Sequence, residues 1–250
     1  MIEFRAHGGI ARITLNRPEK RNALNADLIA AVRQALAKTA SDETVRVVLL
    51  TGAGTDFCSG ADLGGLDRTA EAGVLDHLAT ARHLAEMFLE MRRHPRPVVA
   101  AVRGRALAGG CGLATACDLI LANESAQFGY PEVKIGFVPA MVMAILRRSV
   151  SEKRAFELIT TGEIITAAQA HAVGMINRVY PDGEFEARVE EYVAALASKS
   201  QSAVSLSKNL LYHMDGMTFD SALEAGVQAN ALARMTEDAR RGIERFVKKA

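Results

Sequence analysis

The sequence predicts an α/β protein in which strands alternate with helices around a largely parallel core, with a helical region closing the chain. Three observations predict it. Short apolar, β-branched runs recur at residues 10–15, 45–50, 98–102 and 119–121, and near-continuous apolar content marks strands covered on both faces. Between them lie segments with apolar residues at helical spacing, and that alternation favours right-handed crossovers and parallel pairing. Beyond Pro139 the pattern becomes almost entirely helical.

Taken in order, Asn16-Arg17-Pro18-Glu19-Lys20-Arg21-Asn22 breaks the first strand with turn formers and charge. Asn25 suits the N-cap of a helix whose apolar face is Leu28, Ile29, Val32, Ala35 and Leu36. The second strand runs into Thr51-Gly52-Ala53-Gly54 and then Phe57-Cys58-Ser59-Gly60-Ala61-Asp62-Leu63. Residues 64–73 are polar and glycine-bearing and read as a mobile loop. A long helix carrying Leu75, Leu78, Ala81, Leu84, Ala85, Phe88 and Met91 follows and stops at His94-Pro95-Arg96-Pro97. After the third and fourth strands, helices are expected at 141–150 and 152–160, with a capping box at Thr166-Ala167-Ala168-Gln169. A last short strand is expected at 174–179, then helices near 184–198, 202–214 and an interrupted 218–248. There is no linker and no internal sequence repeat. The expected division is a core over 1–190 and a helical region over 191–250 whose apolar stripes need a partner surface.

The 250 residues are 49% hydrophobic and 24% charged, with a formal net charge of +1. That balance suits a soluble globular protein and points away from nucleic-acid and membrane surfaces. No apolar run approaches the ~20 residues of a membrane span. Met1-Ile2-Glu3-Phe4-Arg5 lacks the layout of a signal peptide. Cys58, Cys111 and Cys117 are odd in number and form no CxxC pair, so reduced, buried thiols and a cytoplasmic setting are expected. The six histidines include no HxxxH or HExxH pair, so no metal site is expected.

The most informative stretch is Val98 to Asp118, where an apolar run breaks through Ala108-Gly109-Gly110-Cys111-Gly112 into an Ala/Leu segment. A strand entering a helix through glycines leaves N–H groups without internal partners at the positive end of the helix dipole. Gly109 and Gly110 therefore form either an anion or oxyanion cradle or a tight packing turn. Gly110-Cys111-Gly112-Leu113-Ala114-Thr115 approaches a dinucleotide fingerprint, but threonine stands where that motif needs Gly or Ala.

Asn16-Arg17-Pro18 through Ala23-Leu24-Asn25, Phe57 to Leu63, Ala106 to Cys111, Cys117-Asp118, Ala126-Gln127-Phe128-Gly129, Pro131-Glu132 and Leu158 to Gly162 occur in one order and spacing. Together they resemble the crotonase superfamily, the enoyl-CoA hydratase/isomerase family, over nearly the whole chain. The resemblance implies a spiral of ββα units followed by C-terminal helices, assembled as a homotrimer or homohexamer. It implies an acyl-CoA thioester substrate, with coenzyme A as part of the substrate and no other cofactor. The matching oxyanion donors are the backbone N–H groups of Ala61 and Gly109, next to Gly60 and Gly110. Coenzyme A would lie along Ser59, Gly60, Ala61, Asp62 and Leu63 and along Lys20, Arg21 and Ala23.

Proton movement beside a thioester carbonyl passes through an enolate, and fixed N–H donors stabilise its oxygen. Family hydratases set two glutamates across the substrate, because adding water needs two coordinated proton movements. The resemblance matches Glu132 to the second of these. The first should stand twenty residues earlier, where this chain has Gly112. A further acidic residue that other branches carry eight places after the glutamate is replaced by Ala140. One glutamate suits a 3-enoyl to 2-enoyl isomerase. The alternatives are a hydratase with a substitute acid/base, drawn from Asp67, Glu71, Asp76, His77 or Tyr130, and a non-catalytic acyl-CoA binder.

Overall fold

The structure, a computed structural model, describes residues 1–62, 64 and 73–248. Leu63 and residues 65–72, which include Asp67, Glu71 and nearly all of the loop expected at 64–73, lie outside the described residues.

A six-stranded sheet has the order β1 (Ile2–His7), β2 (Ile10–Leu15), β3 (Val47–Gly52), β4 (Val98–Val102), β6 (Leu119–Asn123), β9 (Arg178–Tyr180). Only β1–β2 is antiparallel; the other neighbours run parallel. The hairpin turns at Gly8-Gly9, both at positive φ (59° and 81°), the geometry a two-residue primed turn demands. Strand β1, with little apolar alternation, was not legible as a strand in the sequence.

The central strands are closed on both faces, as their apolar content predicts. On one face lies the main core with Leu28, Val32 and Leu36 of α1 (Ala26–Ser41). Asn25 caps that helix by accepting from Leu28 N–H at 2.9 Å. On the other face Val47, Leu49, Val99 and Leu121 pack with Phe185, Val189 and Val193 of α7 (Phe185–Ala197). The division expected at residue 190 therefore falls inside α7, a helix that closes the sheet, and the chain leaves the sheet only after Ala197.

A second row of strands gives the fold its spiral. Strand β5 (Arg105–Leu107) pairs parallel with β7 (Gln127–Gly129), and β7 pairs antiparallel with β8 (Ile164–Thr166). Cys58 joins β5 through a single parallel bridge to Ala106. Each turn thus places one strand in the large sheet, one in the small row, and then a helix. These helices are α2 (Val74–Arg93), α3 (Gly109–Ala116) and α4 (Ala140–Ser149). This ββα repetition lies in topology alone, with no sequence self-similarity to announce it. In α2 the buried residues are Met87, Phe88 and Met91, while Leu75 and Leu78 at its start are exposed.

Helices α5 (Glu152–Thr161) and α6 (Ala167–Ala172) follow, the latter opened by the expected Thr166–Gln169 capping box. The chain ends in α8 (Gln201–His213), α9 (Phe219–Met235) and α10 (Glu237–Val247), broken at Thr236. No described helix is long and apolar enough to cross a membrane.

Candidate active site

Cys58, Ala106 and Phe128 lie side by side in the small row, Cys58 bridged to Ala106 and Ala106 paired with Phe128. Because the pairing is parallel, the three segments leave the row at the same edge. Three residues beyond Cys58 comes Ala61; three beyond Ala106 comes Gly109; four beyond Phe128 comes Glu132. The register therefore sends Ala61, Gly109 and the Glu132 turn out of the row at one edge, from three separate turns of the spiral.

The two N–H arms are locked together. A Cβ on Gly109 would stand 3.9 Å from Ala61 N and 3.7 Å from Leu24 Cδ1. A Cβ on Gly60 would come within 2.7 Å of Ala108 Cβ, and Gly60 has φ +98°, so a side chain there is excluded by both space and backbone. The turn into α3 is made by Ala108, at φ 51° and ψ −129°, while its N–H donates to Gly129 O at 2.8 Å. That conformation is sparsely populated for a residue with a Cβ and costs about 1–3 kcal/mol. It is held by Gly60 on one side and β7 on the other. The N–H groups of Ala61 and Gly109 find no acceptor among the described residues, and that of Gly109 opens α3 at the positive end of its dipole. A Cβ on Gly110 would overlap Cys58 O and lie 2.8 Å from Cys58 Cβ; glycine there serves packing.

The segment from Lys20 to Ala23 runs beside Ser59 to Asp62. Ser59 N–H donates to Arg21 O at 3.0 Å, Leu24 N–H to Gly60 O at 2.7 Å, and Asp62 N–H to Leu24 O at 2.9 Å. Arg17 clamps both strands, donating to Ala23 O at 2.5 Å and to Asp62 Oδ2 at 2.9 Å. Buried Asn22 donates to Ala53 O at 2.9 Å and Asp56 O at 2.8 Å. Arg21 and Asn22 both adopt positive φ, and Lys20 and Arg21 remain exposed. Asp62 is thus engaged with the scaffold. The Arg17–Asp62 tie had no sequence signal beyond the motifs that contain them.

Glu132 sits in a short 3-10 turn, Pro131–Ile135, closed by Gly136 in the left-handed region. It is half-buried, and its Oε2 is buried with no hydrogen-bond partner among the described residues. Burial raises its pKa above the ordinary carboxylate value, opposed only by its own backbone N–H. Its charge reaches the Cys111 thiol and the Tyr130 phenol, which places it beside the first turn of α3. Tyr130 does not qualify as a substitute base. It is fully buried, shares a 3.2 Å hydrogen bond with Thr115 Oγ1, and burial drives its pKa well up. Asp76 and His77 stand exposed on the first turn of α2, where Asp76 accepts from Gly73 N–H at 3.2 Å. All three cysteines are free and buried, and burial pushes Cys58 and Cys111 up to about 12.

The position twenty residues before Glu132 is filled from elsewhere. A Cβ on Gly112 would overlap Val142 Cγ1, with Val142 Cβ at 3.0 Å and Phe88 Cζ at 3.6 Å. Nothing in the sequence pairs residue 112 with residue 142. The family model of enoyl-CoA hydratase/isomerase matches residues 5–250. The chain belongs to this family. A relative from Thermus thermophilus, provisionally named an enoyl-CoA hydratase, is 40% identical over 242 residues, covering 97% of this chain and 96% of that protein. The 2,3-dehydroadipyl-CoA hydratase of Escherichia coli K12 is 35% identical over 242 residues, covering 95% and 91%. The crystal structure of an enoyl-CoA hydratase from Mycobacterium smegmatis superposes with a TM-score of 0.95 at 32% identity, covering 99% of this chain and 96% of that one. The crotonase fold and the family expected from the motifs are thereby established, and the protein is an enzyme of this family.

Proposed function

We propose that the protein acts on acyl-CoA thioesters and moves a double bond from the 3- to the 2-position. The observation that carries this reading is Gly112 packed against Val142, so that no glutamate stands at 112, and Glu132 is read as the acid/base. Coenzyme A lies along Lys20, Arg21 and Ala23 and along Ser59 to Leu63, with the thioester oxygen between the N–H groups of Ala61 and Gly109. Glu132, ionised, takes a proton from C2. The electrons move onto the thioester oxygen as the C3–C4 double bond conjugates, and the N–H pair stabilises that dienolate. Glu132 then returns the proton to C4, leaving the double bond between C2 and C3. A carboxyl raised by burial is suited to hold the proton between the two transfers.

The relatives' names favour a second reading, hydration of a 2-enoyl thioester, which needs a second acid/base from elsewhere on the chain. The test is a side-by-side assay of 3-enoyl and 2-enoyl thioesters that identifies the products. Faster isomerisation than hydration is expected, and efficient hydration with little isomerisation overturns the reading.

We also assign the helices after Ala197 to self-assembly as a trimer or hexamer. Phe219, Leu223 and Val227 form an exposed stripe at four-residue spacing on α9, and apolar stripes of this kind are covered in oligomers. The three buried free thiols suit a reducing compartment, in keeping with the expected cytoplasmic setting.

A further inference from the structure

We propose that Val142 is the specificity-determining residue that separates isomerisation from hydration, by occupying the space that a side chain at position 112 would need. The inference rests on the reading of Glu132 as the sole acid/base.

Gly109 and Gly112 are one turn apart on α3 and share a face. At Gly109 that face meets Leu24 and Ala61 N; at Gly112 it meets Val142 and Phe88. Glycine is disfavoured inside a helix, and Gly112 has no positive φ that would require it. Its reason for being there is the facing valine. Val142 is 3% exposed and lies in the first turn of α4, the helix that follows the Glu132 turn. Its branched Cβ restricts rotation of the methyl that meets position 112, so the obstruction is built in. Glycine and valine therefore form one packing unit. That unit lines this side of α3 with hydrocarbon and offers no polar group to hold a water.

The unit exchanges as a pair. A glutamate at 112 needs the volume of the Val142 methyls, and removing both methyls clears the overlap while leaving Cβ at 3.0 Å, a gap that small shifts of α4 relax. We expect Gly112→Glu alone to lower the melting temperature sharply. Val142→Ala alone should fold and keep isomerisation as its main reaction. The double variant Gly112→Glu/Val142→Ala should melt well above Gly112→Glu and hydrate 2-enoyl thioesters about 100-fold faster than Val142→Ala, the scale of one positioned acid/base. A double variant no more stable than Gly112→Glu overturns the packing argument. A folded double variant that hydrates no faster than Val142→Ala overturns the specificity role. Wild type assayed alongside separates the two ideas: if it hydrates faster than it isomerises, the proposed reaction fails, while the coupling between 112 and 142 is still read from the melts.

Discussion

The nitrogen of Ala61 lies 3.9 Å from the point where a Cβ on Gly109 would stand, although the two residues belong to different turns of the spiral. The bridge between Cys58 and Ala106 fixes this relationship, since each N–H group follows its bridge residue by three positions. Gly109 itself needs no unusual backbone; the positive φ falls on Ala108. Glycine at 109 keeps the space between the two donors open.

Neighbouring glycines should therefore fail in opposite ways. In Gly109→Ala the added methyl meets only ordinary contacts at 3.7 and 3.9 Å, and the backbone there has no positive φ that would strain alanine. The variant should fold about as stably as wild type yet lose about 10²-fold in kcat, the scale of a thioester displaced by about 1 Å from two N–H donors that the substitution leaves in place. In Gly110→Ala the methyl overlaps Cys58 O, a backbone atom that cannot rotate away, and stability should fall by about 3 kcal/mol or more. Urea titration beside turnover of a 3-enoyl thioester distinguishes the two. A stable and fully active Gly109→Ala variant would show that the thioester does not occupy the space between the two donors.

Glu132 links function to stability through its proton. Burial holds the folded carboxyl above its ordinary value of 4.5. Ionising it therefore works against folding: stability held by the protonated form below that ordinary value is lost as pH rises through the raised folded one. Glutamine cannot ionise. Glu132→Gln should melt higher than wild type at pH 7 and no higher at pH 4, while turnover falls about 10²–10⁴-fold. In wild type kcat/KM should rise with pH through the same raised value. Equal melting temperatures at pH 7 would show that the carboxylate is already well solvated.

Much of this site was legible in the sequence because it is carried by backbone and by short motifs. The strand entering α3, the segment 57–62 and Glu132 are local patterns, and local patterns survive without coordinates. What escaped is long-range and unpatterned. Val142 is one apolar residue in an amphipathic helix, and its register against Gly112 depends on how α3 and α4 cross. Strand β1 escaped because only Ile2 and Phe4 face inward. Tyr130 looked like a candidate base because burial cannot be read from a tyrosine in a turn. A lysine in α8 would be read as solvated, and Lys208 is not.

Lys208 anchors α8 to the core. Its Nζ donates to Met91 O at 2.9 Å, Arg96 O at 3.0 Å and Asp118 Oδ2 at 2.7 Å, using all three of its protons. Asp118 also accepts from Val98 N–H at 2.6 Å and from the Tyr212 hydroxyl at 2.6 Å. Lys208→Met leaves a carboxylate and two carbonyls short of a donor in a largely buried site, and should lower the unfolding free energy by about 3–5 kcal/mol. Adding Asp118→Asn should cost less than the sum of the two single changes, as expected for partners in one network. Strict additivity in urea melts would show that the contact contributes nothing of its own.

The stripe on α9 makes the last prediction. Phe219, Leu223 and Val227 are 77%, 56% and 63% exposed in the single chain, and at four-residue spacing they lie along one face of the helix. None of them is buried in its own chain, so replacing them should leave its secondary structure and the Lys208 anchor intact. Two like charges in place of Leu223 and Val227 would have to be desolvated wherever that face is covered by another copy, a cost far above that of exposing them. Leu223→Glu/Val227→Glu should therefore sediment as a smaller species than wild type at equal concentration, with an unchanged far-ultraviolet circular dichroism spectrum. Wild-type mass in the double variant would place the assembly surface elsewhere on the molecule.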